Sequence, residues 1–450
     1  MDANKQRWTI LGQDPEILLA ALANILSWFV VTFCPRFLPY LLPSSPEEEQ
    51  DGDAISIDAT RTRCISIGRP GGMEQLRLVT LKKDICTIGY NVKHVSPAPY
   101  TPADGFELPD DCVVVKNLAF SVNYADCTIR WGLYESAKKF VGYPIVPGFD
   151  VAGTIERVPK NNNSNFKVGD RVFGCTLFGA YSSRVVIPTI QLRKIPDCID
   201  SFSKAASFPA VSLTALYALH LAGYFPGGFD EGASRHKFKN KSILIHSAAG
   251  GVGSFLVQMS KILGLGPIVG VVGRSSKVDE AYRLGCDAVI DKSSEDLWSA
   301  ATKACPDGFS TIMDANGVST LKESYNSLAP SGRLIVFGFH SNLPLGQAML
   351  NPLEWIKMAR KQSNMPKFNA MDLTVSNKSV LGFNLSFFAD EREILSDMFD
   401  QILEWISNEK LECPNVVEME MKNIALAHEF ISSGKSIGKI VVTTEPTSSS

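Results

Sequence analysis

The sequence holds no pair of cysteines two residues apart; its ten cysteines (34, 64, 86, 112, 127, 175, 198, 286, 305 and 413) are scattered singly. That spacing argues against a thiolate metal knuckle, a C-x-x-C redox pair and a dense disulfide framework. Histidine is scarce, with six residues, and none lies in an H-E-x-x-H pair of the kind that binds zinc on one helix face. Excess charge is lacking too: the formal net charge is -3 and the isoelectric point about 6.1. No basic field is available for a phosphate backbone, so nucleic acid is not an expected partner. No internal repeat is found, which sets solenoids and propellers aside.

What is present fits a globular protein. A chain of 450 residues, 45% hydrophobic and 20% charged, buries enough apolar surface for two lobes. Isolated cysteines suit a reducing compartment, and the sequons at Asn162, Asn240, Asn377 and Asn384 would invite glycosylation in a secretory lumen. The main body is therefore expected in the cytosol.

Residues 17–34, ILLAALANILSWFVVTFC, carry no charge and are followed by PRFLPYLLP. As a helix this run rises about 27 Å, close to the roughly 30 Å hydrocarbon core of a bilayer. Residues 17–42 are expected to anchor the protein to an intracellular membrane, with a buried terminal helix as the alternative. Asp14 and Glu16, and the lack of a small-x-small cleavage site, argue against a signal-peptide core. Lys5, Arg7 and Arg36 do not differ enough in number across the run to orient it. Residues 43–60 are acidic and turn-rich and read as a solvated linker, and 446–450 as a disordered tail.

The hydrophobic pattern changes near the middle of the chain. Short β-like runs at 113–122, 151–158 and 182–188 precede alternating strand and helix patterns from about 200 to 340. The expected architecture is α/β: a β-rich lobe joined to a parallel sheet covered by helices.

Residues 242–247 (SILIHS) suit a buried strand and 252–264 (VGSFLVQMSKILG) an amphipathic helix closed by Gly264. Between them lie Ala248, Ala249, Gly250, Gly251, Val252 and Gly253, a variant of G-x-G-x-x-G with alanine at the first glycine. In a strand-turn-helix setting such a turn brings backbone amides at a helix start up to a pyrophosphate. The next strand, 267–273, ends in Arg274, Ser275, Ser276 and Lys277, where an NAD-specific site carries Asp or Glu for the ribose hydroxyls. Two cations and two hydroxyls suit a 2′-phosphate instead, so NADPH is the expected cofactor. His246, inside an apolar strand, reads as a core histidine. Residues 434–438 (GKSIG) match G-x-S-x-G but follow a helix-like stretch and precede a strand-like one, the reverse of a nucleophile elbow.

These motifs, in order, resemble the zinc-free medium-chain dehydrogenases/reductases of the quinone oxidoreductase (zeta-crystallin-like) group, and within it the branch of the synaptic-vesicle membrane protein. The resemblance spans about residues 60–445. It rests on FSVNYADCTIRWGLY (120–134), PIVPGFDVAGTI (144–155), GDRVFG (169–174), HSAAGGVG (246–253), MDANG (313–317), GRLIVFG (332–338) and SVLGFNL (379–385).

The resemblance implies a GroES-like catalytic domain, a doubly wound Rossmann domain and an active site in the cleft. Residues 61–200 would begin the GroES-like domain, 201–340 would form the Rossmann domain, and 341–445 would complete the catalytic domain. It implies a homodimer and no metal. Hydride would pass from NADPH to a quinone or the β-carbon of an enone, with Asn123 and Tyr134 as catalytic residues that hydrogen-bond the substrate carbonyl or the cofactor ribose. Thr214, Asn316, Phe337, Phe383 and Asn384 would line the nicotinamide half, with Lys292 and Lys439 near the adenine-side phosphate. Three departures stand out: Asp150 replaces a usual glutamate, Lys292 a frequent tyrosine, and Thr128 a tyrosine of some relatives' substrate pockets. Residues 224–240 look like an insertion, and 351–368 are amphipathic enough for a lipophilic wall or for packing on the body. The branch also suggests a non-catalytic alternative: a membrane-associated NADPH-binding protein in lipid handling or vesicle and mitochondrial organisation.

Overall fold

The computed structural model describes residues 48–49, 61–83, 85–89, 107–224, 238, 240–339, 356–357, 360, 363–388 and 391–445. The expected anchor at 17–42 and most of the expected insertion at 224–240 lie outside them. Among the described residues no helix is long and apolar enough to cross a membrane.

Strands β1 (Glu48–Glu49), β2 (Arg63–Ser66) and β3 (Arg77–Leu81) form a small sheet in the order β1-β3-β2. Its first strand falls within the expected linker 43–60, the rest of which lies outside the described residues: Glu48 and Glu49 pair antiparallel with Leu81 and Thr80. Backbone pairing needs no apolar side chain, which is why an acidic composition hides it. The next strands, β4 (Thr87–Ile88), β5 (Cys112–Val122), β6 (Asp150–Arg157), β7 (Arg171–Cys175), β8 (Arg184–Pro188) and β9 (Leu192–Lys194), belong to a larger sheet. Helices α1 (Tyr124–Arg130) and α2 (Glu135–Phe140) fill the connection from β5 to β6.

Helices α3 (Phe202–Ala206) and α4 (Pro209–Leu221) lead into the second lobe. Its strands are β10 (Ile243–His246), β11 (Ile268–Val272), β12 (Ala288–Asp291), β13 (Phe309–Asp314), β14 (Leu328–Val336) and β15 (Ser379–Gly382). Between them come α5 (Gly251–Ile262), α6 (Val278–Leu284), α7 (Leu297–Ala304), α8 (Leu321–Asn326) and α9 (Ala370–Ser376). All neighbouring strands are parallel, in the order β12-β11-β10-β13-β14-β15. That is the doubly wound order of a dinucleotide-binding sheet, whose first strand, here β10, lies centrally and opens toward the ligand. Both faces of β10 and β11 are covered, and every residue in them is buried, as parallel strands require.

The expected domain boundary at 340 needs correction, because β15 adds a sixth strand to this sheet well beyond it. Its exposed and half-buried residues give it none of the solid apolar run that marks its neighbours. Within 351–368, Phe368 packs against Tyr325 with ring centroids 5.2 Å apart, and Met365 joins the same apolar cluster. That end packs on the body, while Ile356 is exposed.

The chain then returns to the first lobe through α10 (Arg392–Ser407), β16 (Val416–Glu420), α11 (Ile424–Ser432) and β17 (Lys439–Thr443). Strand β17 lies between β16 and β5 and runs antiparallel to β5, pairing Ile440 with Val122. Both ends of the chain thus build the β-rich lobe. The lobes share one apolar core in which Leu216, Phe255, Phe399 and Trp405 cluster; each such side chain contributes about 1.5–3 kcal/mol by leaving water.

Candidate active site

The turn between β10 and α5 is closed by its own backbone. Gly250 N–H donates to Ser247 O at 2.8 Å, and Gly250 is the N-cap of α5 with no side-chain cap. The first-turn amides that follow have no intrahelical acceptor, so they and the positive end of the helix dipole are left for an anion. Glycine at 253 is a packing requirement: a Cβ there would meet Ser247 O at 2.1 Å and Ala248 Cα at 2.9 Å. Gly251 lies against the other lobe, where a Cβ would come within 3.1 Å of Lys439 Cδ. Gly438 N–H donates to Ala249 O at 3.1 Å, which stitches β17 to the turn. These features fit a dinucleotide diphosphate: first-turn amides without intrahelical acceptors, in a turn that lines the cleft.

The cleft between the lobes encloses about 900 Å³, near the upper end of small-molecule sites. Ala249, Gly250, Gly251, Val252 and Gly253 line it together with Arg274, Lys277 and Lys292. Arg274 donates to Ser433 O at 3.3 Å, and Lys277 Nζ donates to Gly434 O at 2.8 Å and Ser436 O at 2.6 Å. Burial and the neighbouring Arg274 pull the Lys277 amine below its usual range. Residues 434–438 form a loop between α11 and β17, so the G-x-S-x-G match is a wall of the cleft and no nucleophile elbow.

Ser275 departs from the expected cofactor set. It is absent from the cleft lining, and its hydroxyl donates to Asp291 Oδ2 at 2.6 Å. Asp291, at the end of β12, also accepts from the amide and hydroxyl of Ser293. Those hydrogen bonds, Ser275's first, hold its carboxyl down at about 2. An acid near the expected phosphate site thus stays ionised but is capped by serines, a relation that the sequence does not display.

The inner end gathers residues from both ends of the chain. Asn123 precedes α1; its Nδ2 donates to Asp150 Oδ2 at 2.8 Å and its Oδ1 accepts from Lys439 Nζ at 2.7 Å. The backbone N–H of Asn123 donates to Asp126 Oδ2 at 2.8 Å. Burial pushes the Asp126 carboxyl up to about 7, against the pull of its hydrogen bonds. Lys439 therefore reaches the Asn123 end of the cleft, where the resemblance placed it near the adenine-side phosphate; as the first residue of β17, which pairs with β5, it is carried to the end of that strand.

Tyr134 donates to Asn384 Oδ1 at 3.1 Å and shares a 2.8 Å hydrogen bond with Ser386 Oγ. Burial raises its phenol to about 12, so it remains a donor at neutral pH. Phe337 and Phe383 stack with centroids 6.1 Å apart, and Asn316 lies close by on the same cleft wall. Thr214 and Thr128 also line the cleft, but both hydroxyls are taken up by their own helices, donating to Ala210 O and Ala125 O. Leu133, Phe149, Leu177, Ile190, Phe339 and Leu385 make the remaining walls apolar.

The structure brings together every expected site residue except Ser275. Sequence reasoning missed Asp150, Asp126 and Ser386 as members of the network. For Asp150 a signal existed, because it stands in PGFDVAG where relatives carry glutamate. His246 is buried and hydrogen-bonds Ser324 Oγ at 3.2 Å, and burial keeps it neutral by lowering its pKa. Among the described residues no three His, Cys, Asp or Glu side chains come together as a metal site.

Comparison with known proteins agrees with this fold. Residues 109–197 match the alcohol dehydrogenase GroES-like domain, and residues 251–406 match the zinc-binding dehydrogenase family. The synaptic vesicle membrane protein VAT-1 homolog of Danio rerio is 28% identical over 334 residues, which cover 74% of this chain and 64% of that protein. A quinone oxidoreductase of Pseudomonas aeruginosa is 34% identical over 232 residues, 50% of this chain and 64% of that one. The chain thus spans less than two thirds of the length of these two relatives. A crystal structure of quinone oxidoreductase from Pseudomonas syringae superposes with a TM-score of 0.65 at 26% identity, covering 85% of this chain and 100% of that one. The chain belongs to the medium-chain dehydrogenase/reductase family, in its quinone oxidoreductase-like group with the branch of the synaptic-vesicle membrane protein.

Proposed function

We propose that the protein is an NADPH-dependent reductase that passes hydride to a quinone or to the β-carbon of an α,β-unsaturated carbonyl without zinc. The observation that carries this reading is one cleft holding both a diphosphate turn and, at its inner end, the hydrogen-bonding groups of Asn123, Lys439 and Tyr134. Its P. aeruginosa relative, named quinone oxidoreductase, supports the acceptor class.

The bound cofactor would supply hydride from its C4 carbon. The amides of residues 251–253 would hold the diphosphate, and Arg274, Lys277 and Lys292 the 2′-phosphate. Those cations attract an anion that a carboxylate would repel. Phe337, Phe383, Asn316 and Thr214 would confine the nicotinamide ring. Asn123, through its second amide hydrogen, and Tyr134, once its hydroxyl turns from Asn384 to the substrate, would orient the substrate carbonyl, each donor contributing about 1–3 kcal/mol in a dry cleft as charge grows on the oxygen. The apolar walls exclude water from the transfer.

The test is NADPH consumption by the purified full chain with 1,2-naphthoquinone and simple enones, with and without a chelator. Turnover that persists in chelator supports the reading. Tight NADPH binding with no turnover on any acceptor would refute it and favour the non-catalytic, membrane-associated role.

A further inference from the structure

Separate elements aim donors at one buried carboxylate. Asp150, the first residue of β6, has no exposure to solvent. Its Oδ2 accepts from the Ser121 hydroxyl on β5 and from Asn123 Nδ2, and its Oδ1 accepts from the amide of Ala210 in the first turn of α4 at 2.6 Å. Lys439 Nζ on β17 stands 3.9 Å from Oδ2. The carboxylate therefore ties the β-rich lobe to the helix that leads into the dinucleotide lobe.

The Asn123 amide has one orientation that satisfies both neighbours. A carboxylate only accepts and an ammonium only donates, so the NH₂ must face Asp150 and the oxygen must face Lys439. We infer that Asp150 is a positioning residue: it orients the Asn123 amide and keeps the Lys439 ammonium charged, so that both present fixed donors to cofactor and substrate. This inference rests on the reductase reading.

The electrostatics agree. Burial draws the Lys439 amine below its usual range, opposed by Asp150 on β6 and then Asp126 on α1. The start of α5, against which the Lys439 stem packs, adds a positive pole that also disfavours the charged amine. Burial holds Cys175 as a neutral thiol, its pKa well above the ordinary value. Among the described residues Asp150 alone forms an ion pair with Lys439.

The experiment measures kcat/KM for NADPH, with 1,2-naphthoquinone, from about pH 6 to about pH 9. Above about pH 8, where Asp126 is already ionised, wild-type protein should change less than about twofold, whereas Asp150→Asn should fall about tenfold per pH unit once the amine, stripped of its counter-charge, loses its proton. Adding Lys439→Arg to that variant should flatten the profile again, because a guanidinium keeps its charge throughout. A uniform loss of rate in Asp150→Asn, parallel to wild type at every pH, would overturn the inference, as would failure of the arginine rescue.

A buried ammonium without its partner is destabilising. If Asp150→Asn does not fold, Asp150→Asn/Lys439→Met should fold and show no alkaline loss. Failure of both to fold would assign Asp150 to the scaffold and overturn the proposal. If the wild-type protein reduces no acceptor, the reductase reading fails separately. The same pH series read as the NADPH dissociation constant by calorimetry then decides the inference, with the same pattern expected.

Discussion

A single methyl group at Gly253 tests the cofactor turn. In Gly253→Ala the new Cβ would sit 2.1 Å from Ser247 O and 2.9 Å from Ala248 Cα. A carbon and a carbonyl oxygen rest about 3.3–3.6 Å apart, so strand end and helix start must part by about an ångström. Neither obstacle is a flexible side chain, so the strain cannot be relieved by a rotamer change. Overpacking of this kind destabilises by about 1–3 kcal/mol. At about 2–4 °C per kcal/mol for a domain of this size, the melting temperature should fall by about 2–12 °C. The same displacement carries the first-turn amides away from the diphosphate. Losing one hydrogen bond to a charged group, about 1.5–3 kcal/mol, should weaken NADPH binding about 10- to 100-fold. Thermal denaturation and calorimetric titration measure the two effects separately. Gly250→Ala is the graded control, because its Cβ would meet Ser247 O at 3.2 Å, tight but tolerable. Its melting temperature should stay within about 2 °C of wild type. A Gly253→Ala protein with wild-type melting and wild-type NADPH affinity would refute both the tight closure and the diphosphate assignment.

Lys277→Glu should weaken NADPH about 100-fold and NADH less than about threefold, since only the former carries the extra phosphate; equal losses in a titration would rule out the phosphate role. Tyr134→Phe removes the hydroxyl shared with Asn384 and Ser386, and should lower kcat about 10-fold with the NADPH dissociation constant unchanged. A tenfold loss of affinity with kcat intact would move Tyr134 from substrate to cofactor. The Asp126 carboxyl is raised to about 7 in the fold, well above its unfolded value near 4. The folded state therefore binds the proton more tightly, and this contribution to stability is full below about pH 4 and lost as pH rises through about 7. Urea unfolding across that window should show a smaller decline for Asp126→Asn than for wild type, and parallel declines would contradict the assignment.

The dinucleotide lobe was legible because its signals are local. Strand 242–247, the glycine turn and helix 252–264 follow one another in sequence, and the structure places β10, the turn and α5 within a residue or two of them. The inner site was not legible in the same way. Asn123 and Lys439 are 316 positions apart and meet only because β17 lies antiparallel beside β5. No periodicity in either segment encodes that neighbour. Asp150 stood out as a departure from relatives, but its donors come from β5, α4 and β17, a convergence set by tertiary packing. Ser275 is a smaller case: the residue type does not fix where its hydroxyl points, and here it faces Asp291. Strand β15 escaped notice because an edge strand with exposed residues lacks the solid apolar run of a central one.

The position of β17 has a consequence for how the chain tolerates shortening. A terminal segment usually sits at a margin, where trimming frays the fold gradually. Here the last strand is an interior member of its sheet, flanked by β16 and β5, and its first residue reaches the reacting end of the cleft. A chain stopped just before residue 439 would leave the edges of β16 and β5 that β17 pairs bare, and no amine beside Asn123. Loss of the tail after residue 445 would remove neither the strand nor the amine.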